Sequence, residues 1–149
     1  GMRLSKRATY AIRALIFLGE GSPNEPVSCK TVSTTLHIPN RFLLQILGQL
    51  ASYGLLGSTR GVDGGYVLKK EIHQITMFDV LDAIGESELM PEDEKVQRVD
   101  AAHDESQRKM RHLHSELHKV LQQFKIAQYD IDTNDGVSDE PASDEAKTR

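Results

Sequence analysis

The stretch Arg60-Gly61-Val62-Asp63-Gly64-Gly65 constrains this chain more tightly than any other part of it. It separates residues 55–59 from residues 66–69, two short runs that read as paired strands. Asp-Gly and Gly-Gly tolerate positive φ, which a tight hairpin turn requires. The segments before it have helical rather than alternating periodicity, so the hairpin is an appendage to helices.

The expected first helix covers residues 5–18. Ser5 is a suitable N-cap, and Ala8, Ala11, Ile12, Leu15 and Leu18 share one face. Gly19 and Gly21-Ser22-Pro23-Asn24 stop it. Pro26-Val27 reads as a short extended piece. Ser28 caps a second helix to residue 36, with Val32 and Leu36 inward. Its Thr-rich sequence implies stability from packing rather than propensity. His37-Ile38-Pro39-Asn40 makes a tight turn, and a third helix runs to about residue 52. Its buried face is Phe42 or Leu43, then Ile46, Leu47 and Leu50. Tyr53-Gly54 ends it, with Gly54 suited to the left-handed position. Two helices joined by so short a turn have the helix-turn-helix layout. After the hairpin, Thr76 caps a fourth helix over residues 77–85, and Asp79 stands in for the Glu of a capping box. Phe78, Val80, Leu81 and Ile84 are its apolar residues.

From Ser87 the composition changes. Glu88, Glu92, Asp93 and Glu94 with Pro91 form an acidic linker, and a long helix is expected over about residues 91–124. Val96, Val99, His103, Ser106, Met110, Leu113, Leu117, Val120 and Phe124 recur alternately three and four apart. That is a heptad seam, polar in the middle and apolar at both ends. Its apolar members, Val96, Val99, Met110, Leu113, Leu117, Val120 and Phe124, are the candidate dimerisation residues. Residues 129–149 are acidic with little to bury, and disorder is expected there. The fold class expected is mainly α with a small β-hairpin wing. It divides into a winged helix-turn-helix over residues 2–86, a linker and dimerisation helix over 87–128, and the tail.

The net charge of −4 hides an asymmetry. Residues 1–73 carry nine Lys/Arg against four Asp/Glu, a net +5, and residues 74–149 carry nine against eighteen, a net −9. Such an imbalance points to nucleic acid as a partner of the first half. A single cysteine, Cys29, excludes a disulfide framework or a cysteine metal site within one chain. Gly1 before Met2 reads as the remnant of a removed tag. No signal peptide or membrane span is legible, so the expected location is cytoplasmic. Four of the six histidines fall on the long helix. His114 and His118 are in register to share a face, but without further ligands the plainer reading is a solvated helix surface. The glycines at 61–65 lack the GK[ST] element of a phosphate loop, and a strand rather than a helix follows them. No catalytic set stands out, and an enzyme is the reading ranked last.

A glycine-rich hairpin directly after a helix-turn-helix has the form of a wing. Gly61, Gly64 and Gly65 let main chain approach a phosphate backbone, and Arg60 is placed to enter a minor groove. An ordinary hairpin with a solvated Arg60 would share these residues. The third helix is the expected reader. Asn40, Arg41 and Gln45 are exposed by the periodicity that buries Ile46 and Leu50, and Arg and Gln pair with guanine and adenine. Lys6, Arg7 and Lys30 are candidates for phosphate contacts.

These residues resemble the Rrf-two family of regulators, the group of IscR, NsrR and BadM. The likeness lies in Met2-Arg3-Leu4-Ser5 and Tyr10-Ala11-Ile12-Arg13-Ala14-Leu15, then Ile38-Pro39, Phe42-Leu43-x-Gln45-Ile46-Leu47 and Gly54-Leu55-Leu56. The most specific element is Ser58-x-Arg60-Gly61-x-x-Gly64-Gly65-Tyr66-x-Leu68, and Ile75-Thr76, Asp79-Val80 and Ala83-Ile84 complete the match. It covers residues 2–86 well and the long helix only in type. It implies a homodimer on a roughly palindromic operator in double-stranded DNA, with the third helix in a major groove and the wing in a minor groove. It adds Ser5, Phe42 and Tyr66 to the candidate DNA-binding set. Leu44 departs from relatives, which often carry Glu there. Many members hold an iron–sulfur cluster through three cysteines between helix four and the long helix, and residues 86–107 contain none. The expectation is therefore a DNA-binding regulator, a repressor, that carries no cofactor and answers to another effector or to a protein partner. Cys29 reads either as an activated thiol at a helix start or, more simply, as a small part-buried residue. The alternative function is a winged-helix protein-interaction module that has lost DNA binding.

Overall fold

The computed structural model describes residues 3–88 and 101–128. Its first helix, α1, is Lys6–Gly19, capped by the Ser5 hydroxyl, which accepts from Ala8 N–H at 3.0 Å. Ala8, Ala11 and Ala14 lie fully buried beside Leu15 and Leu18. Ala14, absent from the expected face, displaces Ile12, which is half-buried. The reason is angular: Ala14 follows Ala11 by three residues and precedes Leu18 by four, so it falls on the centre of the stripe. Three small side chains in a row let the neighbouring helices approach α1 closely.

Helix α2, Cys29–Leu36, starts at Ser28, whose hydroxyl accepts from Thr31 N–H. It ends at His37 in the left-handed conformation. Helix α3, Asn40–Tyr53, buries Leu43, Ile46, Leu47 and Leu50. Of the pair left open in the sequence, Leu43 is inside and Phe42 outside. Gly54 closes α3 at φ +101°, a left-handed position that favours glycine.

Strands β1, Leu56–Thr59, and β2, Gly65–Leu68, pair antiparallel with Leu56 opposite Leu68 and Thr59 opposite Gly65. A third, minimal strand was not legible: Val27 N–H donates to the Tyr66 carbonyl at 3.0 Å, and Tyr66 N–H to the Val27 carbonyl at 2.8 Å. A Cβ on Gly65 would sit 2.3 Å from the Val27 carbonyl oxygen, and one on Gly64 2.3 Å from that of Thr59. By sequence these glycines suit contact with a phosphate backbone. The fold already needs both for contact with its own.

A short 3₁₀ turn at Ile72–Gln74, also unforeseen, leads into α4, Met77–Ala83. The capping box forms as expected: the Thr76 hydroxyl accepts from Asp79 N–H and the Asp79 carboxylate from Thr76 N–H, each at 3.0 Å. Asp79 is further held by Lys70 at 3.0 Å. α4 stops at Ala83, earlier than expected, and Gly85 follows with φ +80°.

The described part of the long helix, α5, is Ala101–Gln123. The expected residues 91–100, with Val96 and Val99, lie outside the described residues, as do the His103 side chain and residues 129–149. The far end of α5 is tied to the start of α4. Phe124 carbonyl accepts from Met77 N–H at 2.8 Å, and Ile126 N–H donates to the Ile75 carbonyl at 3.0 Å. Ile126 is buried in the same core as α1 and α3, although the sequence boundary placed it in the second unit. His114 and His118, expected on a solvated face, are half-buried. The His118 ring lies 4.3 Å from that of Phe78, and its Nε2 is enclosed without a hydrogen-bond partner. The seam residues Met110, Leu113, Leu117 and Val120 are 43–59% exposed, and Phe124 is half-buried.

Gly65→Ala should cost about 2–3 kcal/mol, because the added carbon must displace backbone. Gly48→Ala should instead stabilise by up to about 1 kcal/mol through helix propensity, since nothing lies within 4 Å of a Cβ there. Urea midpoints of both variants against wild type check the pair.

Candidate nucleic-acid interface

The turn between α2 and α3 is rigid for reasons the residues supply. Ile38 is buried, and Ser33 binds it twice: its hydroxyl donates to the Ile38 carbonyl at 2.5 Å and its carbonyl accepts Ile38 N–H at 3.1 Å. Arg13 from α1 donates to the Leu36 carbonyl at 2.7 Å, satisfying an otherwise open helix end. At the other end of α3, the Tyr53 hydroxyl donates to Asp82 of α4 at 2.9 Å. Burial, with help from Asp82, pushes the Tyr53 phenol up to about 12. α3 is thus anchored at both ends.

With its core face fixed, α3 turns Asn40, Arg41, Phe42, Leu44 and Gln45 outward. Phe42 leans on Tyr10 of α1, edge to face with centroids 6.1 Å apart. The Asn40 carboxamide oxygen lies 3.5 Å from Cys29 Sγ, a weak bond between the two helix starts. Burial raises the Cys29 thiol, the opposite of what an activated cysteine at a helix N-terminus needs.

The wing projects Arg60, Gly61, Val62 and Asp63 into solvent. Gly61 adopts φ +107°, and its carbonyl accepts Gly64 N–H at 3.0 Å to close the turn. Val62 at the tip is fully exposed and was not singled out in the sequence. Tyr66 is half-buried, and burial raises its phenol, with Cys29 as a lesser cause. It forms the wall behind the wing.

The basic candidates divide. Lys6, Lys30, Arg41 and Arg60 are exposed, as is Arg3, which lies outside the candidate set. Arg7 is half-buried and donates to Gln49 of α3, so its guanidinium braces two helices. Ser5 caps α1 and donates to Glu86 at 2.6 Å, so its hydroxyl is already engaged.

No group of three or more His, Cys, Asp or Glu among the described residues is placed to hold a metal ion. The sequence has one cysteine, and it sits at the start of α2. This donor set does not fit a cluster that needs several thiolates. No described helix is long and apolar enough to cross a membrane.

Three helices with a braced second and third, followed by a hairpin, define a winged helix-turn-helix of the kind found in transcription regulators. The model of the Rrf2 family, described as iron-dependent transcriptional regulators, matches residues 4–129. The chain belongs to that family. It is 35% identical over 86 residues to the HTH-type transcriptional regulator IscR of Cronobacter sakazakii, covering 58% of this chain and 53% of that protein. With IscR of Escherichia coli O1:K1 / APEC the identity is 34% over the same shares. The match thus spans about half the length of these relatives. Among solved structures, CymR (YrzC), the global cysteine regulator of B. subtilis, superposes with TM-score 0.62 at 23% identity, over 85% of this chain and 94% of that one. IscR of T. potens gives TM-score 0.60 at 23% identity, over 85% of each chain. These two show the fold. The named relatives are transcriptional regulators, not enzymes.

Raised Tyr53 ionisation means the fold resists forming the phenolate. Its contribution is therefore intact below the ordinary value of 10.0 and lost as pH rises toward 12. Tyrosinate absorbance of wild type minus Tyr53→Phe should titrate near that upper value. A difference centred at 10 would mean that Tyr53 is neither buried nor bonded to Asp82 as described.

Proposed function

We propose that the chain is a transcriptional repressor that binds double-stranded operator DNA as a homodimer and carries no iron–sulfur cluster. The observation that carries this reading is the outward ridge of α3 together with an exposed Arg60 on a wing braced at Val27. α3 fits a major groove, where Arg41 and Gln45 offer paired hydrogen bonds to guanine and adenine. Arg60 extends into the neighbouring minor groove, drawn by its negative potential. Lys6, Lys30 and Arg3 hold phosphates and set the register. Residues 2–86 supply the reader, completed by Ile126, and α5 supplies the pairing helix. Two copies then present their readers to half-sites about one helical turn apart.

The exposed stripe Met110, Leu113, Leu117 and Val120 supports pairing through α5. A second copy burying this stripe removes apolar surface that one chain leaves in water. Because the cysteine set of cluster-binding relatives is missing, the input is a different effector or a protein partner, acting in the cytoplasm where operator DNA is found. Exposed Phe42 and Leu44 favour one rival reading, a winged module that binds protein in place of DNA.

Purified protein should retard a specific duplex, with affinity falling steeply as salt rises. Arg60→Ala should weaken binding by about tenfold, and Gln45→Ala should relax preference at one position. Loss of neither would overturn this docking. Absence of binding to any DNA at low salt, with a stable protein complex instead, would favour the rival.

Leu117→Asp should give monomers in sedimentation while helix content is kept, since Leu117 touches water in the single chain. A dimer unchanged by this substitution would place the interface elsewhere.

A further inference from the structure

Arg3, Lys6, Lys30, Arg41 and Arg60 are exposed, and among the described residues none of them is in an ion pair. The cations of α5 behave differently: Arg108, Lys109 and Lys119 pair with carboxylates of their own helix. Contacts within the fold gather the unpaired ones. Cys29 and Asn40 join the starts of α2 and α3, so Lys30 and Arg41 flank that junction. Tyr10 against Phe42 brings in the turn of α1 that begins at Lys6. The Val27–Tyr66 pairing brings in the wing with Arg60. Residues 129–149 carry the opposite charge. They hold seven Asp/Glu against two Lys/Arg, with acidic pairs at Asp139-Glu140 and Asp144-Glu145.

We propose that the acidic segment 129–149 docks on this cationic face of its own chain and competes there with the phosphates of DNA. The inference rests on the DNA-binding reading of the face and adds a regulation to it. Reach is sufficient. Ala127 shares a cleft with Ile16 and Gly19 at the far end of α1. From that end back to Lys6, α1 has 14 residues, about 20 Å of helix. Extended chain advances about 3.4 Å per residue, so about six residues bridge the gap. Asp135, Asp139, Glu140, Asp144 and Glu145 all lie beyond that point in the sequence. A carboxylate offers Lys and Arg the same charge-assisted hydrogen bonds as a phosphate oxygen. The covalent link makes the encounter intramolecular, at a high effective concentration. DNA must displace the segment, so its apparent affinity falls with the fraction of chains left open.

The test compares the full chain with a neutralised form carrying Asp135→Asn, Asp139→Asn, Glu140→Gln, Asp144→Asn and Glu145→Gln. A random-sequence duplex is the probe, because phosphate charge alone supports such binding. At low salt the neutralised form should bind about tenfold more tightly, the effect of a contact of about 0.1 mM at an effective concentration of about 1 mM. The two forms should converge at high salt, where the contact is screened. Carbodiimide joins carboxylates directly to amines. In wild-type protein migrating as single chains it should link Lys6 or Lys30 to residues 135–145, and added duplex should suppress those links. Equal affinities at low salt would overturn the proposal. So would tighter binding by the neutralised form without such links in wild type, since long-range repulsion alone would then be at work. Links in wild type with no duplex bound by either form would uphold the contact and remove the DNA-binding reading instead.

Discussion

Two backbone hydrogen bonds between Val27 and Tyr66 hold the rest of the site in place. They join the residue before the α2 cap to Tyr66 of β2. The wing is therefore fixed to the start of the helix-turn-helix, and not merely appended after it. Gly65 permits the approach, since any side chain would collide with the Val27 carbonyl. From this seam α2 begins at Ser28, and the tight Ser33–Ile38 turn sets α3. A wing free to swing would present Arg60 to no fixed groove. Hairpins of two strands are marginal alone, so the third pairing supplies what propensity cannot.

The elements legible in sequence are those whose signals are local. Caps at Ser5, Ser28 and Thr76 form as their side chains require, because a hydroxyl three residues before an open N–H has one obvious partner. Gly54 sits where its left-handed backbone was expected. What escaped notice depends on distant partners. Val27 looks like any extended residue until Tyr66 lies beside it. Ile126 looks like part of a helix tail until Ile75 offers a carbonyl. His114 and His118 read as polar surface until Phe78 packs on one of them.

The candidate interface was legible at the level of residue types more than of roles. Arg7 carries the charge of a phosphate contact, yet Gln49 takes its guanidinium. Ser5 has the hydroxyl of one, yet Glu86 accepts its hydrogen bond. Gly64 and Gly65 suit a backbone approached by DNA, yet the chain's own carbonyls stand where side chains would go. Each residue has a second claim on it, and a one-dimensional pattern does not rank such claims. Arg41, Gln45 and Arg60 face solvent because their neighbours in sequence fill the core.

The stitching of residues 124–126 onto residues 75–77 orders events during synthesis. Ile126 completes the core around α1 and α3, but it is made long after both. A nascent chain halted anywhere within α5 holds a reader with one wall missing. Only when the ribosome has passed α5 does Ile126, the last buried side chain among the described residues, arrive. Completion of the reading unit thus waits on the helix proposed to join two copies, so an early-terminated product would lack both a finished core and the full stripe for pairing.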